Sequence, residues 1–154
     1  MNKQMLEKND TNEEEAIINK TLVYLQNYRE MERYIKEAVS EASQIDVAQY
    51  NISAENAFLQ TIRESRAETI IMFEHLKKAL KSLEEDAKAT GESYKYEALE
   101  SIYVKGQTYE DVARIHNCGR NSPKRWCKCM IKKLAVKLFG AKAIENDNNG
   151  IKSE

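Results

Sequence analysis

This chain has little of the turn chemistry that a sheet-rich fold requires. Its 154 residues include one proline and five glycines, and these are the residues on which tight hairpin turns depend. Long apolar runs are missing too: none, residues 70–73 included, is longer than four residues, which is far below the ~20 residues that span a bilayer. The first twenty residues are rich in Asn, Glu and Lys and show no secretory pattern. We therefore expect a helical, cytoplasmic protein with no membrane partner.

Cysteine and histidine are scarce as well. The three cysteines, Cys118, Cys127 and Cys129, are odd in number and clustered, which fits a reducing compartment rather than a disulfide framework. Cys127 and Cys129 lie two residues apart on a predicted helix and so point in divergent directions, unlike zinc ligands. The sequence has no Gly-rich phosphate loop and no nucleophile paired with a base. We expect no enzyme activity, no metal and no cofactor.

Charge is unevenly distributed although the net charge is only −1. Residues 1–100 hold 13 basic and 20 acidic side chains, whereas residues 101–144 hold 10 basic and 2 acidic ones. Residues 112–144 contain nine Lys or Arg and no Asp or Glu. Binding to a polyanion depends on the local field of the docking face, not on the total charge. This segment is therefore expected to meet a polyanion; a merely solvated lysine face is the alternative.

Two long helices are expected before the basic segment. Residues 1–12 are polar without periodicity and are predicted to form a flexible tail. From about 13 to 42 the apolar residues recur at helical spacing, and residues 43–52 read as a loop. Ser53 is a fair N-cap for a second helix that should end near Thr90-Gly91, where glycine allows the left-handed conformation. Residues 13–90 are thus predicted to form a helical hairpin.

The second helix carries a regular apolar stripe. Seven of nine successive a/d positions are apolar, namely Leu59, Ile62, Phe73, Leu76, Leu80, Leu83 and Ala87. Such a stripe forms either intramolecular core or the seam of a coiled-coil homodimer. Periodicity alone favours the core, and a dimer through the N-terminal helices stays open.

Residues 93–144 have the order of parts of a helix-turn-helix domain. A helix over about 93–104 should end at Gly106. Thr108 and Asp111 then form a capping box, which opens a short helix from Tyr109 to about His116. Within that helix, Val112 and Ala113 are expected to point inward.

A turn over residues 117–121 leads to the last helix. Ser122 is the predicted N-cap, with Pro123 as the first helical residue, where its missing amide costs nothing. This helix should run to about residue 139 and end at Gly140. Cys127 is assigned to its buried side, and residues 145–154 are predicted to form a second flexible tail.

The cationic side of the last helix supplies the candidate DNA contacts. Arginine pairs with guanine and asparagine with adenine in the major groove, whereas lysines farther along a helix meet phosphates. Lys124 and Arg125 are preferred for base edges over Arg120 and Asn121, because the latter two precede the predicted helix start. The predicted DNA-binding set is Arg120, Asn121, Ser122, Lys124, Arg125, Lys128 and Lys132, with Lys128 and Lys132 on phosphates.

Residues 96–140 resemble the C-terminal helix-turn-helix of phage-encoded transcriptional regulators of the ArpU and RinA type, which are similar to region 4 of sigma-70 factors. The matching positions are Tyr103, Gly106, residues 108–113, Asn117, Cys118, Arg120, Arg125, Trp126, residues 133–135 and residues 138–140. The resemblance implies activation of phage or prophage operons, such as late morphogenesis or lysis genes, in the cytoplasm or nucleoid of a bacterial host. His116, Gly119 and Pro123 depart from the family pattern, which has an aliphatic residue, a capping serine and Val or Ile there.

The leading hypothesis is therefore a sequence-specific regulator of transcription that binds double-stranded DNA. A sigma-like factor that binds RNA polymerase through its N-terminal helices is an alternative within transcription. An alternative of another class is a phage DNA-packaging adaptor of the small-terminase type, in which the long helices assemble a ring. The target genes, and activation as opposed to repression, are left open by the sequence.

Overall fold

The computed structural model describes residues 2–42 and 53–143, and every element in these ranges is helical. The α-helices are α1 (Asn2–Gln26), α2 (Tyr28–Ala42), α3 (Ser53–Thr90), α4 (Ser93–Leu99), α5 (Tyr109–Ile115) and α6 (Asn121–Phe139). A π-helical stretch, Glu100–Val104, continues α4, and a 3₁₀ turn, Gly140–Ala143, follows α6. The predicted all-α fold class is confirmed. The loop predicted at 43–52 and the tail predicted at 145–154 lie outside the described residues.

Helix α1 starts earlier than the sequence indicated and ends at a break. Residues 2–12, predicted as a flexible tail, are helical, since they contain no Pro or Gly and several good helix formers. The single helix predicted over 13–42 is divided at Asn27. There the side-chain Nδ2 and the backbone N of Asn27 both donate to the carbonyl of Val23, at 2.8 and 3.1 Å. Backbone bonds continue across Asn27, since the Met31 amide donates to its carbonyl at 2.9 Å, so α1 and α2 meet there without a loop.

Only part of the predicted hairpin forms. Helix α2 packs on α3, where the rings of Tyr28 and Phe73 have centroids 5.0 Å apart. Helix α1 instead packs mainly along α6, with Ile17 buried against Ala135 and Ala143. The predicted hairpin over 13–90 is thus correct for α2 and α3 but not for α1, whose apolar face is covered by the C-terminal segment.

Helix α3 ends where the sequence predicted. Thr90 is its last residue, and Gly91 has φ +75°. The amide of Glu92 donates to the carbonyl of Ala87 at 2.8 Å, and that of Gly91 to the carbonyl of Lys88 at 3.3 Å. These two bonds make a Schellman motif, which requires a left-handed residue at the glycine position.

One hydrophobic core joins the N-terminal helices to the C-terminal segment. Its least accessible large side chains include Leu25 of α1, Leu76 and Leu83 of α3, Leu99 of α4, Val112 of α5, and Cys127, Met130 and Leu134 of α6. The stripe of α3 is buried from Phe73 onward, so its predicted role as intramolecular core is confirmed for that part. Residues 13–90 and 93–144, predicted as separate regions, therefore contribute to the same hydrophobic core, because the second half of α3 packs on α4 and α6.

Candidate nucleic-acid interface

The short helix α5 is fixed at its start by the predicted capping box. The Thr108 hydroxyl accepts a hydrogen bond from the Asp111 amide, and the Asp111 carboxylate accepts one from the Thr108 amide, both at 3.1 Å. These bonds with Thr108 lower the pKa of Asp111. Val112 and Ala113 are buried, as predicted. The box therefore orients a helix of only seven residues, which is too short to be stable alone.

Replacement of Thr108 by alanine is expected to destabilise the fold by roughly 0.5–2 kcal/mol, because it leaves the Asp111 amide without its cap. Thr108→Ser keeps the hydroxyl and should lose little. The free energy of unfolding of both variants, measured by urea titration, checks this. Equal losses for the two substitutions would show that the threonine methyl, rather than the cap, stabilises α5.

Helix α6 begins two residues earlier than predicted. Arg120 is its N-cap, in helical conformation and without a side-chain cap, and Asn121 is the first helical residue. The prediction that Ser122 caps the helix with Pro123 at the first position is therefore wrong, and Pro123 is buried at the third position. Proline is accepted there because the first three helical amides have no partner within a helix. The amide of Ser122 still donates to the carbonyl of Gly119, at 3.1 Å.

Arg120 has an intramolecular partner. Its Nε lies 3.0 Å from Oε1 of Glu110 on α5, and both side chains are about half exposed. This pair ties the turn to the short helix. Of the residues predicted for base edges, Arg120 is thus engaged within the protein, whereas Asn121 is exposed at the first position of α6.

The last cations of α6 also face protein groups. Lys133 Nζ lies 3.1 Å from the Glu92 carboxylate, which accepts from Lys95 as well. These hydrogen bonds, that from Lys95 first, lower the pKa of Glu92. Lys137 Nζ lies 2.6 Å from the carboxylate of Asp86 on α3. Lys133 and Lys137 therefore join α6 to the rest of the fold. Neither lysine was in the predicted DNA-binding set.

Lys124 and Arg125 project from the first turn and a half of α6. Lys124 Nζ lies over the ring of Tyr109, 5.6 Å from its centroid, a distance at which a cation is attracted by the ring face. Arg125 donates from Nη2 to the Ser122 hydroxyl at 3.3 Å. Both side chains are exposed. These weak local contacts orient the two cations and do not bury them.

Lys128 and Lys132 complete the exposed stripe. Each follows the previous lysine by four residues, so Lys124, Lys128 and Lys132 lie along one face of α6, over about 12 Å of helix axis. In the part of the chain that the structure describes, neither Lys128 nor Lys132 forms an ion pair. We call Asn121, Lys124, Arg125, Lys128 and Lys132 the recognition face.

Trp126 packs behind the recognition face. Its ring lies edge-on between Tyr94 of α4 and His116 at the end of α5, with centroids 5.0 and 5.5 Å away. These contacts make Trp126 a packing residue. They also explain His116, which stands where the resembled family has an aliphatic residue, because the imidazole fills that place as a flat packing partner.

Sequence reasoning did not find the ion pairs of Arg120, Lys133 and Lys137. The partners lie outside α6, with Glu110 on α5, Asp86 on α3 and Glu92 just before α4, so spacing along α6 gives no signal of them. Cys127 was assigned correctly to the buried side, and burial raises its pKa to about 12. Within residues 2–42 and 53–143, no three His, Cys, Asp or Glu side chains group as a metal site would require.

No helix in the described ranges combines the length and apolar character needed to cross a bilayer. No protein-family model, curated protein or solved structure matches this chain. The resemblance to phage regulators and to sigma region 4 thus remains a prediction from the residues that carry it.

Proposed function

We propose that this chain is a sequence-specific double-stranded DNA-binding protein that regulates transcription, with α6 as the recognition helix. The observation that carries the proposal is the recognition face. Four cations and one asparagine share it, on the helix that follows a capped short helix and a turn. A helix of this kind fits the major groove, which is about 12 Å wide.

The cations at and near α6 differ in whether they form ion pairs within the protein, and this difference supports the proposal. Arg120, Lys133 and Lys137 have carboxylate partners in the protein, whereas the four cations of the recognition face are exposed and form no ion pair with the residues that the structure describes. Exposed charges of one sign on one face repel one another, and this repulsion destabilises the fold. Phosphates of a duplex would compensate that repulsion on binding.

The experiment is a salt titration of DNA binding by the full chain. Wild type and the double variant Lys128→Ala/Lys132→Ala are compared by fluorescence anisotropy on a duplex from the region upstream of the chain's own operon. Loss of two phosphate contacts should reduce the slope of log affinity against log salt by about 1.8, because each contact contributes about 0.9. Affinity should fall correspondingly at low salt and less at high salt.

Lys36→Ala/Lys88→Ala is the matched control, since it removes two exposed lysines from α2 and α3. It should leave the slope unchanged. A wild-type chain without measurable duplex binding would overturn the proposed function. An equal change of slope in both double variants would attribute binding to net charge rather than to α6.

Within this function, we propose the role implied by the resemblance: activation of phage or prophage operons in the bacterial cytoplasm. Reporter activity from neighbouring promoters, with and without the chain, distinguishes activation from repression. Copurification with core RNA polymerase in the absence of DNA would favour the sigma-like alternative. Light scattering addresses both the homodimer and the packaging adaptor, because a ring of about eight or more protomers would contradict a monomeric or dimeric regulator.

A further inference from the structure

Helix α1 crosses the same side of α6 that bears the recognition face. Ala135 follows Lys128 by seven residues, nearly two helical turns, and so continues the line of Lys124 and Lys128 along α6. Yet Ala135 is fully buried, in a cluster with Ile17 of α1 and Ala143. The recognition face is therefore open over residues 121–132 and covered by α1 beyond them.

Towards the start of α6 the two helices separate around a cleft of about 670 Å³. Its apolar floor includes Ile18, Leu22, Tyr103, Tyr109, Cys127 and Ile131. Its charged walls are of opposite sign: Glu14 and Glu15 come from α1, and Lys124, Lys128 and Lys132 come from α6. Carboxylates thus line the same cleft as three of the four cations proposed to meet DNA.

We propose that α1 is a built-in guard of the recognition helix, which confines a duplex to the first part of α6 and weakens sequence-blind binding. This inference rests on the proposed function. Non-specific affinity is an electrostatic attraction of phosphates, so carboxylates that line the same cleft as Lys128 and Lys132 reduce it. Base-edge contacts near the start of α6, made by Arg125 in particular, are less affected. The ratio of specific to non-specific affinity therefore rises.

The geometry of α1 offers a matched control. Glu13 and Glu15 are both exposed and carry the same charge, but Glu13 is not among the residues that line the cleft. It lies about 140° around the helix from Ile18, which is on the cleft floor, at 100° per residue. Neutralising either glutamate changes the net charge equally, and of the two only Glu15 lines the cleft with the lysines.

The test compares Glu14→Gln, Glu15→Gln and Glu13→Gln in the full chain. Affinity for a duplex of unrelated sequence is measured by fluorescence anisotropy at several salt concentrations. Glu14→Gln and Glu15→Gln should each raise this affinity about two- to fivefold at low salt, the range of exposed charge pairs. The gain should vanish at high salt, and Glu13→Gln should have a clearly smaller effect.

Equal effects of all three substitutions, or no effect of any, would overturn the guard. The salt concentration that elutes each variant from immobilised heparin is the second readout, since heparin is a polyanion without bases. If the wild type bound no duplex, the proposed function would fall, whereas later elution of Glu14→Gln and Glu15→Gln than of Glu13→Gln would still support the guard. Unchanged thermal unfolding by circular dichroism shows that the substitutions leave the fold intact.

Discussion

Replacing Arg125 by alanine is expected to reduce affinity for a preferred duplex about 10- to 100-fold, while affinity for unrelated duplexes falls much less. A bidentate arginine contact to guanine contributes about 1–3 kcal/mol of discrimination against a wrong base. Arg125 is exposed at the fifth position of α6, with its Nη2 only 3.3 Å from the Ser122 hydroxyl. The measurement is anisotropy on a duplex enriched by the wild type from a randomised pool, against a scrambled duplex.

Two substitutions separate specificity from charge. Arg125→Lys retains the charge but not the planar fork of donors, so it should keep non-specific affinity and lose most of the discrimination. Arg33→Ala removes an exposed arginine from α2 and should alter neither affinity. If Arg125→Ala weakened binding to both duplexes equally, Arg125 would contact phosphates rather than base edges. Failure of the pool to yield any preferred sequence would contradict sequence-specific binding itself.

Features set by local chemistry were predictable from the sequence. The capping box at Thr108 and Asp111 and the left-handed glycine at Gly91 are decided within a few residues of chain, and both are confirmed. The end of α6 at Gly140, where φ is +61°, belongs to the same class. The apolar period of α3 likewise identified its buried side, because core positions recur at helical spacing.

Features that depend on distant residues were not predictable. Pro123 could stand at the first or the third helical position without losing a hydrogen bond, so the sequence left the start of α6 undecided by two residues. The contact of α1 with α6 has no sequence signal, because an amphipathic stripe does not identify its partner. For the same reason the ion pair of Arg120 with Glu110, 3.0 Å apart, was not predicted.

The second of the two largest effects is expected for the free energy of unfolding when Leu76, in the shared core, is replaced. Leu76 of α3 is 1% exposed, and Leu76→Ala is expected to lower the free energy of unfolding by roughly 2–5 kcal/mol. The chain has one tryptophan, Trp126, which lies on α6 and packs on α4 and the end of α5. Its fluorescence therefore reports unfolding of the segment from α4 to α6 separately from total helix content.

Because α3 and α6 share one hydrophobic core, the destabilisation caused by Leu76→Ala should extend to α6. In urea titrations of the variant, the transition followed by Trp126 fluorescence and that followed by far-ultraviolet circular dichroism should coincide and shift together. Ile71→Ala is the control on the same helix, since Ile71 is 58% exposed, and its effect should stay within about 0.5 kcal/mol. A shift in circular dichroism with an unmoved Trp126 transition would mean that α5 and α6 fold independently of α3. The acidic N-terminal half would then not be needed to hold α6 in place.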